Sequence, residues 1–374
     1  METKVTKPDG KKSLNCNSFL YYRFLFLVLF TVTVVCSRLL CINSLTWFPA
    51  HVHYPKTPWI NRTHEVNMTA LNSNMTALNS NTTALNGNVS SMTTTLQYHS
   101  AHPRNYRFIM DNTEACKVKT PFLVLMVPVA PGNLAARHAI RKTWGNETLV
   151  QGELVQTFFM LGLNKGPGTE QQQEALKQEN LLHHDLIQSN FMDTYQNLTT
   201  KTMVIMDWLV THCPNASYAM KVDSDMFLNI ENLVNMLKKP DIPKVNYLTG
   251  MLMWNRPVVR TKNSKWYVPE ELYPDHTYPT YTLGMGYIFS NDLPEKFVEI
   301  SKSIKPFNIE DAYIGMCMKL LGLTPSGPPN PSQFKAYNSG YNRCEFSQVI
   351  TYILGSAQQL VKYWTDLKKP GSPC

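Results

Sequence analysis

Charged residues are missing from one long stretch of this chain, and its cysteines lack the spacing of a metal-binding pair. No Asp, Glu, Lys or Arg occurs between Met68 and Tyr98. This absence argues against a coiled coil, whose heptads carry charged flanks. The net charge is +8, but Lys and Arg form no dense cluster in the second half. We therefore predict no nucleic-acid partner, whereas a modest positive balance fits an anionic small-molecule donor.

The uncharged stretch repeats a seven-residue unit in "NMTALNSNMTALNSNTTALNGNVS", residues 67–90. Its units match the N-glycosylation pattern Asn-x-Ser/Thr, and such a polar segment cannot bury a core. We predict a glycosylated, disordered stem over residues 43–114, with an unmodified linker as the alternative. The predicted acceptor asparagines of this stem are Asn61, Asn67, Asn74, Asn81 and Asn88.

An apolar run precedes the stem. The segment "FLFLVLFTVTVV", residues 24–35, has no charge and is bracketed by Arg23 and Arg38. With snorkelling arginines, residues 19–42 are long enough to cross a bilayer, and the basic residues 1–18 then stay in the cytosol. We predict a single-pass type II signal-anchor of the Golgi membrane, since a short span suits a thin membrane. A cleaved signal peptide is the alternative, although no small-x-small cleavage site is evident.

Residues 115–374 are predicted to form one luminal domain. Apolar runs of strand length, such as "PFLVLMVPVA" (121–130) and "LVQTFFMLGL" (154–163), alternate with helical patterns. The first helical pattern begins after Asn133, a candidate N-cap, and the second begins at Asp193. This alternation predicts an α/β sheet with helices on both faces, and ligands of such sheets bind at the carboxyl ends of the strands.

Five cysteines lie in this predicted domain, and none is spaced as in a zinc site. In an oxidising lumen we expect two disulfides and one unpaired cysteine. Spacing does not determine the pairing, and our working pairs are Cys116–Cys213 and Cys317–Cys344.

An acidic turn, Asp223-Ser224-Asp225, follows a third predicted strand. Two carboxylates in one turn can bind a hard cation such as Mg²⁺ or Mn²⁺. A chance Asp-x-Asp occurs about once in a chain of this length, so the turn taken alone favours a solvated loop.

Five ordered blocks give this turn a context. They are "ARHAIRKTWGNE" (136–147), "FMDTYQNLTTKT" (191–202), "KVDSDMFLN" (221–229), "YPTYTLGMGYIFS" (278–290) and "EDAYIGMCMKLLGL" (310–323). With them the chain resembles the β-1,3-galactosyltransferases and their β-1,3-N-acetylglucosaminyltransferase relatives. The turn and "KWYVPEELYP" (265–274) look more like the galactosyl branch.

The resemblance implies a GT-A type fold and inverting transfer from a UDP-sugar in the presence of Mn²⁺. It implies that Asp225 ligates the metal, and that Asp223 either ligates it too or holds the ribose. It also implies that one of Glu310 and Asp311 is the general base, which of the two being left open, and that the other acts at the acceptor or orients its partner. The expected donor-binding residues are Arg137, Arg141, Lys221, Asp223, Ser224, Gly284 and Gly286. The expected acceptor-binding residues are Trp266, Tyr281 and Tyr287. For the arginines, a solvated helix face remains an equal alternative, and the aromatic residues have core packing as theirs.

The chain departs from the family pattern where a histidine is expected to complete the metal site. Ile353 stands there, and no histidine follows His276. The expected function is transfer from UDP-galactose to a GlcNAc-terminated glycan, with a UDP-N-acetylglucosamine donor as the first alternative. A non-enzymatic partner of Golgi transferases is the second, and a lectin-like binder the third. Further sequons in the domain are Asn146, Asn197 and Asn215.

Overall fold

The computed structural model describes residues 106–374, apart from 115 and 118. The predicted tail, signal-anchor and repeat of the stem all lie outside these residues. Within the described part of the chain, no helix has both the length and the apolar character needed to cross a bilayer. The boundary predicted at residue 115 is too late, because Phe108–Met110 already pairs with a strand of the domain.

The strands form one large sheet and one small sheet. The large sheet has the order β1-β5-β4-β2-β6-β9-β8, with β3 paired to β4, and the small sheet has the order β10-β11-β7. The strands are β1 (Phe108–Met110), β2 (Leu123–Pro128), β3 (Leu149–Val150), β4 (Glu153–Leu163), β5 (Leu186–Met192), β6 (Tyr218–Val222), β7 (Met226–Leu228), β8 (Leu248–Met253), β9 (Tyr281–Ser290), β10 (Phe334–Lys335) and β11 (Thr351–Ile353).

The chain order of the sheet reverses at its centre. Strands β5, β4, β2 and β6 are parallel, whereas β9 runs antiparallel to both β6 and β8. From β2 the chain first adds β4 and β5 on one side and then crosses to add β6 on the other. Ligands of open α/β sheets bind at such a switch point, at the carboxyl ends of the strands. The predicted acidic turn follows β6 at this point.

Helices cover both faces, as predicted for an α/β fold. They are α1 (Leu134–Arg141), α2 (Thr169–His183), α3 (Leu198–His212), α4 (Ile230–Leu237), α5 (Leu293–Ile300), α6 (Glu310–Leu320), α7 (Arg343–Gln348) and α8 (Ala357–Leu367). Alternate residues of β2 enter opposite cores: Leu123 and Leu125 pack with α1 and α4, while Val124 packs with α3 and α6. This follows from the two-residue period of a strand.

Two helix N-caps were predicted from the sequence, one for α1 and one for α3. Asn133 caps α1 as predicted, since its side chain accepts a hydrogen bond from the Ala136 amide. Asp193 is not a cap: α3 begins at Leu198, and Asp193 instead pairs with Lys201. A nearby buried ammonium therefore engages this carboxylate in place of the helix amides.

The disulfides agree with one working pair and contradict the other. Cys116 bonds Cys213, whereas Cys344 bonds Cys374 and not Cys317. Cys317 is a buried free thiol on α6, and burial raises its pKa. The second disulfide ties the end of the chain to α7, so the C-terminal segment belongs to the fold.

The three N-glycosylation sequons in the domain differ in how accessible their side chains are. Asn146 and Asn215 are exposed. The Asn197 side chain instead donates to the Met192 carbonyl at 2.8 Å. The hydroxyl of Thr199, the third residue of that sequon, is buried and donates to the Phe307 carbonyl at 2.5 Å. This sequon is therefore built into the fold.

Candidate active site

The acidic turn lies between β6 and β7. The Asp223 amide donates to the Met285 carbonyl at 3.0 Å, which holds the start of the turn against β9. Ser224 is half-buried and Asp225 is exposed. Desolvation of the carboxylate within the turn, followed by the neighbouring Asp223 carboxylate, raises the pKa of Asp225. The two acidic side chains thus repel one another at the carboxyl end of the central strands.

Lys221 is a buried cation beneath this turn. Its ammonium donates to Asp223 Oδ1 at 2.7 Å and to the Gly284 carbonyl at 2.5 Å, and lies 3.5 Å from Glu310 Oε2. Burial by itself lowers the pKa of Lys221, but the Asp223 and Glu310 carboxylates raise it by more. The lysine stays charged and crosslinks β6, β9 and α6. The N–H groups of the Lys221 ammonium face three partners within the protein. This corrects the predicted direct contact of Lys221 with the sugar nucleotide.

Glu310 begins α6 and is 7% exposed. Its other carboxylate oxygen accepts a 2.6 Å hydrogen bond from the Tyr287 hydroxyl. Tyr287 is fully buried, and burial together with Glu310 raises its pKa well above the ordinary value. Tyr287 therefore positions Glu310 and cannot stack on an acceptor sugar, which corrects the predicted acceptor contact.

Asp311 is the next residue of α6 and has a different environment. Its two oxygens accept backbone hydrogen bonds from Gly284 at 3.0 Å and from Ala312 at 2.9 Å. Desolvation, followed by repulsion from Glu310, raises the pKa of Asp311 from 3.8 to about 7, although the two amides and Lys221 oppose the shift. A carboxyl with such a pKa can hold or release a proton near neutral pH, as a general base must.

Gly284 permits this arrangement because it has no side chain. A β-carbon at this position would lie 3.1 Å from Glu310 Oε2 and 3.3 Å from Asp311 Oδ2. Its carbonyl and amide bond Lys221 and Asp311, respectively. The predicted contact of Gly284 and Gly286 with a donor sugar stays a prediction, whereas the close approach of Gly284 to the Glu310 and Asp311 carboxylates is a property of the fold.

The structure corrects the roles predicted for the two arginines. Arg137 is 1% exposed, forms a bidentate pair with Glu179 at 2.7 Å, and also donates to two backbone carbonyls. Arg141 pairs with Asp185 and Glu179. Asp185 immediately precedes β5, at the amino end of the parallel strands. These arginines tie α1 to α2 and β5, so we remove them from the candidate donor site.

The remaining predicted aromatic residues differ in exposure. Trp266 is 52% exposed, whereas Tyr281 is 7% exposed and packs edge-to-face against Tyr278. Of the three predicted acceptor contacts, only Trp266 presents a broad surface to solvent. Tyr281 belongs to the core behind the site, which was the alternative left open by the sequence.

A second buried lysine near the site was not predicted. The Lys201 ammonium donates to both oxygens of Asp193, at 3.0 and 2.8 Å, and to the Val129 carbonyl just after β2. Asp193 in turn accepts from the Gly162 amide on β4. Burial lowers the pKa of Lys201, and Lys221 and Asp223 lie close enough to influence it. Asp193 and Lys201 both occur in "FMDTYQNLTTKT". The sequence therefore pointed to this block, but it did not predict the ion pair within it.

A divalent cation would have two carboxylates to bind at the turn. Oxygen ligands suit Mn²⁺ or Mg²⁺, and a cation would relieve the repulsion that raises the Asp225 pKa. The described residues contain no group of three His, Cys, Asp or Glu side chains able to hold a metal. Ile353 lies beside the turn, since its Cα pairs with Met226 and the next amide, Leu354, donates to the Asp225 carbonyl at 3.0 Å. The turn therefore fits a cation, but among the described residues it offers only two carboxylate ligands, Asp223 and Asp225.

The chain is similar in sequence to known galactosyltransferases. Beta-1,3-galactosyltransferase 2 of Homo sapiens is 43% identical over 274 residues, which are 72% of this chain and 64% of that protein. Beta-1,3-galactosyltransferase 1 of Mus musculus is 37% identical over 267 residues, or 71% and 80% of the two chains. A solved WbbM bifunctional glycosyltransferase has a TM-score of 0.36 and 10% identity, covering 64% of this chain and 46% of that one, and this likeness carries no argument.

The family match covers the site itself. The galactosyltransferase sequence family matches residues 135–329, which include the acidic turn, Gly284, Glu310 and Asp311. On this match and on the identities above, the chain belongs to the galactosyltransferase family.

Proposed function

We propose that this protein transfers galactose from UDP-galactose to the 3-hydroxyl of a terminal GlcNAc, with inversion, on a GT-A type fold. The observation that carries the proposal is the cluster of Lys221, Asp223, Glu310 and Asp311 at the switch point of the sheet. Membership of the galactosyltransferase family and the names of its relatives supply the sugar and the linkage.

In this proposal Asp311 is the general base and Glu310 is not. Inverting transfer is a single displacement: the acceptor oxygen bonds the anomeric carbon as the bond from that carbon to UDP breaks. The acceptor proton passes to the Asp311 carboxylate. The pKa of about 7 suits this exchange, because about half of the Asp311 side chains are ionised at neutral pH and the carboxylate is still basic enough to accept a proton.

Glu310 has a positioning role in the same proposal. It bonds the Tyr287 hydroxyl and lies beside the Lys221 ammonium, so both its oxygens have partners inside the protein. Its negative charge also raises the Asp311 pKa. Lys221 connects this pair to Asp223, so the base and the metal-binding turn are fixed relative to each other.

Asp223 and Asp225 would hold the divalent cation, Mn²⁺ by preference. When bound, such a cation supplies positive charge that stabilises the departing diphosphate. Because the protein offers two carboxylates, the donor diphosphate and water would complete the coordination. We place the chain in the Golgi membrane, anchored by residues 19–42, with the described domain in the lumen.

A second candidate function follows from Ile353. A chain with an apolar residue beside a two-carboxylate site could serve as a non-enzymatic partner of other transferases. The intact proton-transfer group at Asp311 favours the enzyme. The alternative UDP-N-acetylglucosamine donor has no feature of the site in its favour.

The experiment is UDP release by the purified full-length protein. Reactions contain UDP-galactose or UDP-N-acetylglucosamine, a β-linked GlcNAc acceptor, and Mn²⁺ or a chelator. Release that depends on UDP-galactose, acceptor and Mn²⁺ supports the proposal. A folded protein that releases no UDP from either donor would refute it and favour the partner function.

A further inference from the structure

An exposed aromatic pair lies beside the proposed base and has no part in the chemistry described above. Tyr195, in the short helical turn after β5, is 42% exposed, and Trp266, in the loop between β8 and β9, is 52% exposed. The two rings are neighbours, because the Lys265 ammonium lies within cation–π distance of both. Two segments far apart in sequence thus bring two broad apolar faces together at the surface.

Lys265 places a cation over both rings. Its ammonium lies 4.7 Å from the centre of the Trp266 ring and 5.9 Å from that of Tyr195, within the range of cation–π attraction. The side chain is exposed, and no carboxylate of the described residues forms a salt bridge with it. The positive charge therefore stands open to a ligand.

Two observations tie this cluster to Asp311. The Lys265 carbonyl accepts a 3.4 Å hydrogen bond from Asn308, three residues before Asp311. Partial burial and the Asp311 carboxylate also raise the pKa of Tyr195, so the base is within electrostatic range of its hydroxyl. A sugar whose hydroxyl reaches Asp311 would meet these rings.

We propose that Tyr195, Lys265 and Trp266 form an acceptor subsite selective for glycans that carry an anionic group near the acceptor sugar. This inference rests on the proposed function. The rings provide an apolar surface for a pyranose face, and the ammonium binds a sulfate or a carboxylate. Both anions share the chemistry that Lys265 recognises.

The surrounding charges explain why one lysine decides this preference. Any acceptor must approach the Asp311 carboxylate, with Glu310 behind it. An anionic acceptor is repelled there, and Lys265 offsets the repulsion. Without the lysine, the same site discriminates against a negative charge. Because Lys265 is exposed, we expect the effect to be modest and to decrease with salt.

The test compares three acceptors on the full-length protein: a neutral β-linked N-acetylglucosaminide, its 6-O-sulfated form, and a neutral terminal N-acetylglucosamine linked to a uronic acid. For Lys265→Gln, we expect the KM of the anionic acceptors to rise relative to the neutral one by up to about fivefold, the upper end for an exposed charge pair. Lys262→Gln is the matched control, an exposed lysine of the same loop. It should leave the ratio of KM values unchanged.

Trp266→Leu separates stacking from charge. It should raise the KM of neutral and anionic acceptors by the same factor. If Lys265→Gln leaves the ratio of the anionic to the neutral KM unchanged, the proposed selectivity is overturned. Comparing the two anionic acceptors shows whether sulfate or carboxylate is preferred.

Binding measured by saturation-transfer NMR keeps this inference separate from the proposed function. If no acceptor is turned over, the proposed function fails. The subsite is then judged by whether the 6-O-sulfated saccharide binds the wild-type protein and binds Lys265→Gln more weakly. Equal binding to both proteins, or binding to neither, would overturn it.

Discussion

Replacing Asp311 by Asn tests the assignment of the base and the origin of its pKa together. The amide has nearly the same shape, but it cannot accept a proton from the acceptor hydroxyl. A positioned general base contributes about 10²-fold to 10⁴-fold to a rate, so we expect kcat to fall by that factor. The wild-type kcat/KM should rise with pH up to about 7 and then level off, as Asp311 ionises. The variant should lose this acidic limb.

The stability of the same variant should change in the opposite direction. Folding raises the pKa of Asp311 from 3.8 to about 7, so the unfolded chain loses this proton first as pH rises. The wild-type protein therefore loses folding stability between these two pH values, by about 4 kcal/mol at 1.36 kcal/mol per pKa unit. Asn avoids this cost, but its amide group disrupts one backbone hydrogen bond, which costs about 1–3 kcal/mol. At pH 8 the variant should be at least as stable as wild type.

The assay measures UDP release from pH 5.5 to 8.5, with urea unfolding at pH 5 and pH 8. Glu310→Gln is the control, because it removes a positioning carboxylate and leaves the base in place. It should lower kcat, keep an acidic limb, and shift that limb to lower pH as the repulsion on Asp311 is removed. Full turnover in Asp311→Asn, or an acidic limb that persists in it, would refute the reasoning.

Three further predictions concern other parts of the structure. Glu179→Gln leaves the buried Arg137 without its bidentate partner and should lower the free energy of unfolding by about 3–5 kcal/mol in urea titrations, whereas Glu174→Gln, in an exposed pair on the same helix, should change it by less than about 1 kcal/mol. Equal losses in both variants would contradict the argument. Asn197→Gln should leave the glycan mass of the secreted-pathway protein unchanged by mass spectrometry, while Asn146→Gln and Asn215→Gln each remove a glycan; a loss of mass at Asn197 would show that its buried hydrogen bonds do not protect it. Ile353→His should tighten Mn²⁺ binding, measured by electron paramagnetic resonance of the free ion, because an imidazole would stand beside the two-carboxylate turn; Leu354→His, at the buried neighbouring position, is the control, and equal affinity in all three proteins would argue against a metal at this turn.

Much of the architecture was predictable because local patterns carry it. The run around β2 predicted a strand, Asn133 predicted the start of α1, and the alternation of elements predicted an α/β sheet. The acidic turn and the Glu310-Asp311 pair were proposed as site residues through the resemblance of whole blocks to a known family, and their roles stay predictions. Spacing alone did not distinguish them from a solvated turn and from two acids at a helix start.

Charge partners were the main source of error. Arg137, Arg141 and Lys221 looked available for a diphosphate, yet each is held by carboxylates from distant segments. Asp193 looked like a helix cap, yet it binds Lys201. A sequence shows which charges exist, but the partner of each depends on which elements pack together, because an ion pair forms between groups that are close in space.

The sequence by itself therefore determined β2, β4, β6 and α1, the α/β class and the family, since strand and helix periods and ordered motifs are local properties. Only the tertiary structure decided the disulfide of Cys344 with Cys374, the burial of Tyr287, and the different environments of Glu310 and Asp311. The last of these is set by burial, by the Gly284 amide and by a neighbouring charge. Two adjacent acids in one helix turn have different environments because desolvation and hydrogen bonding act on each atom where the fold places it.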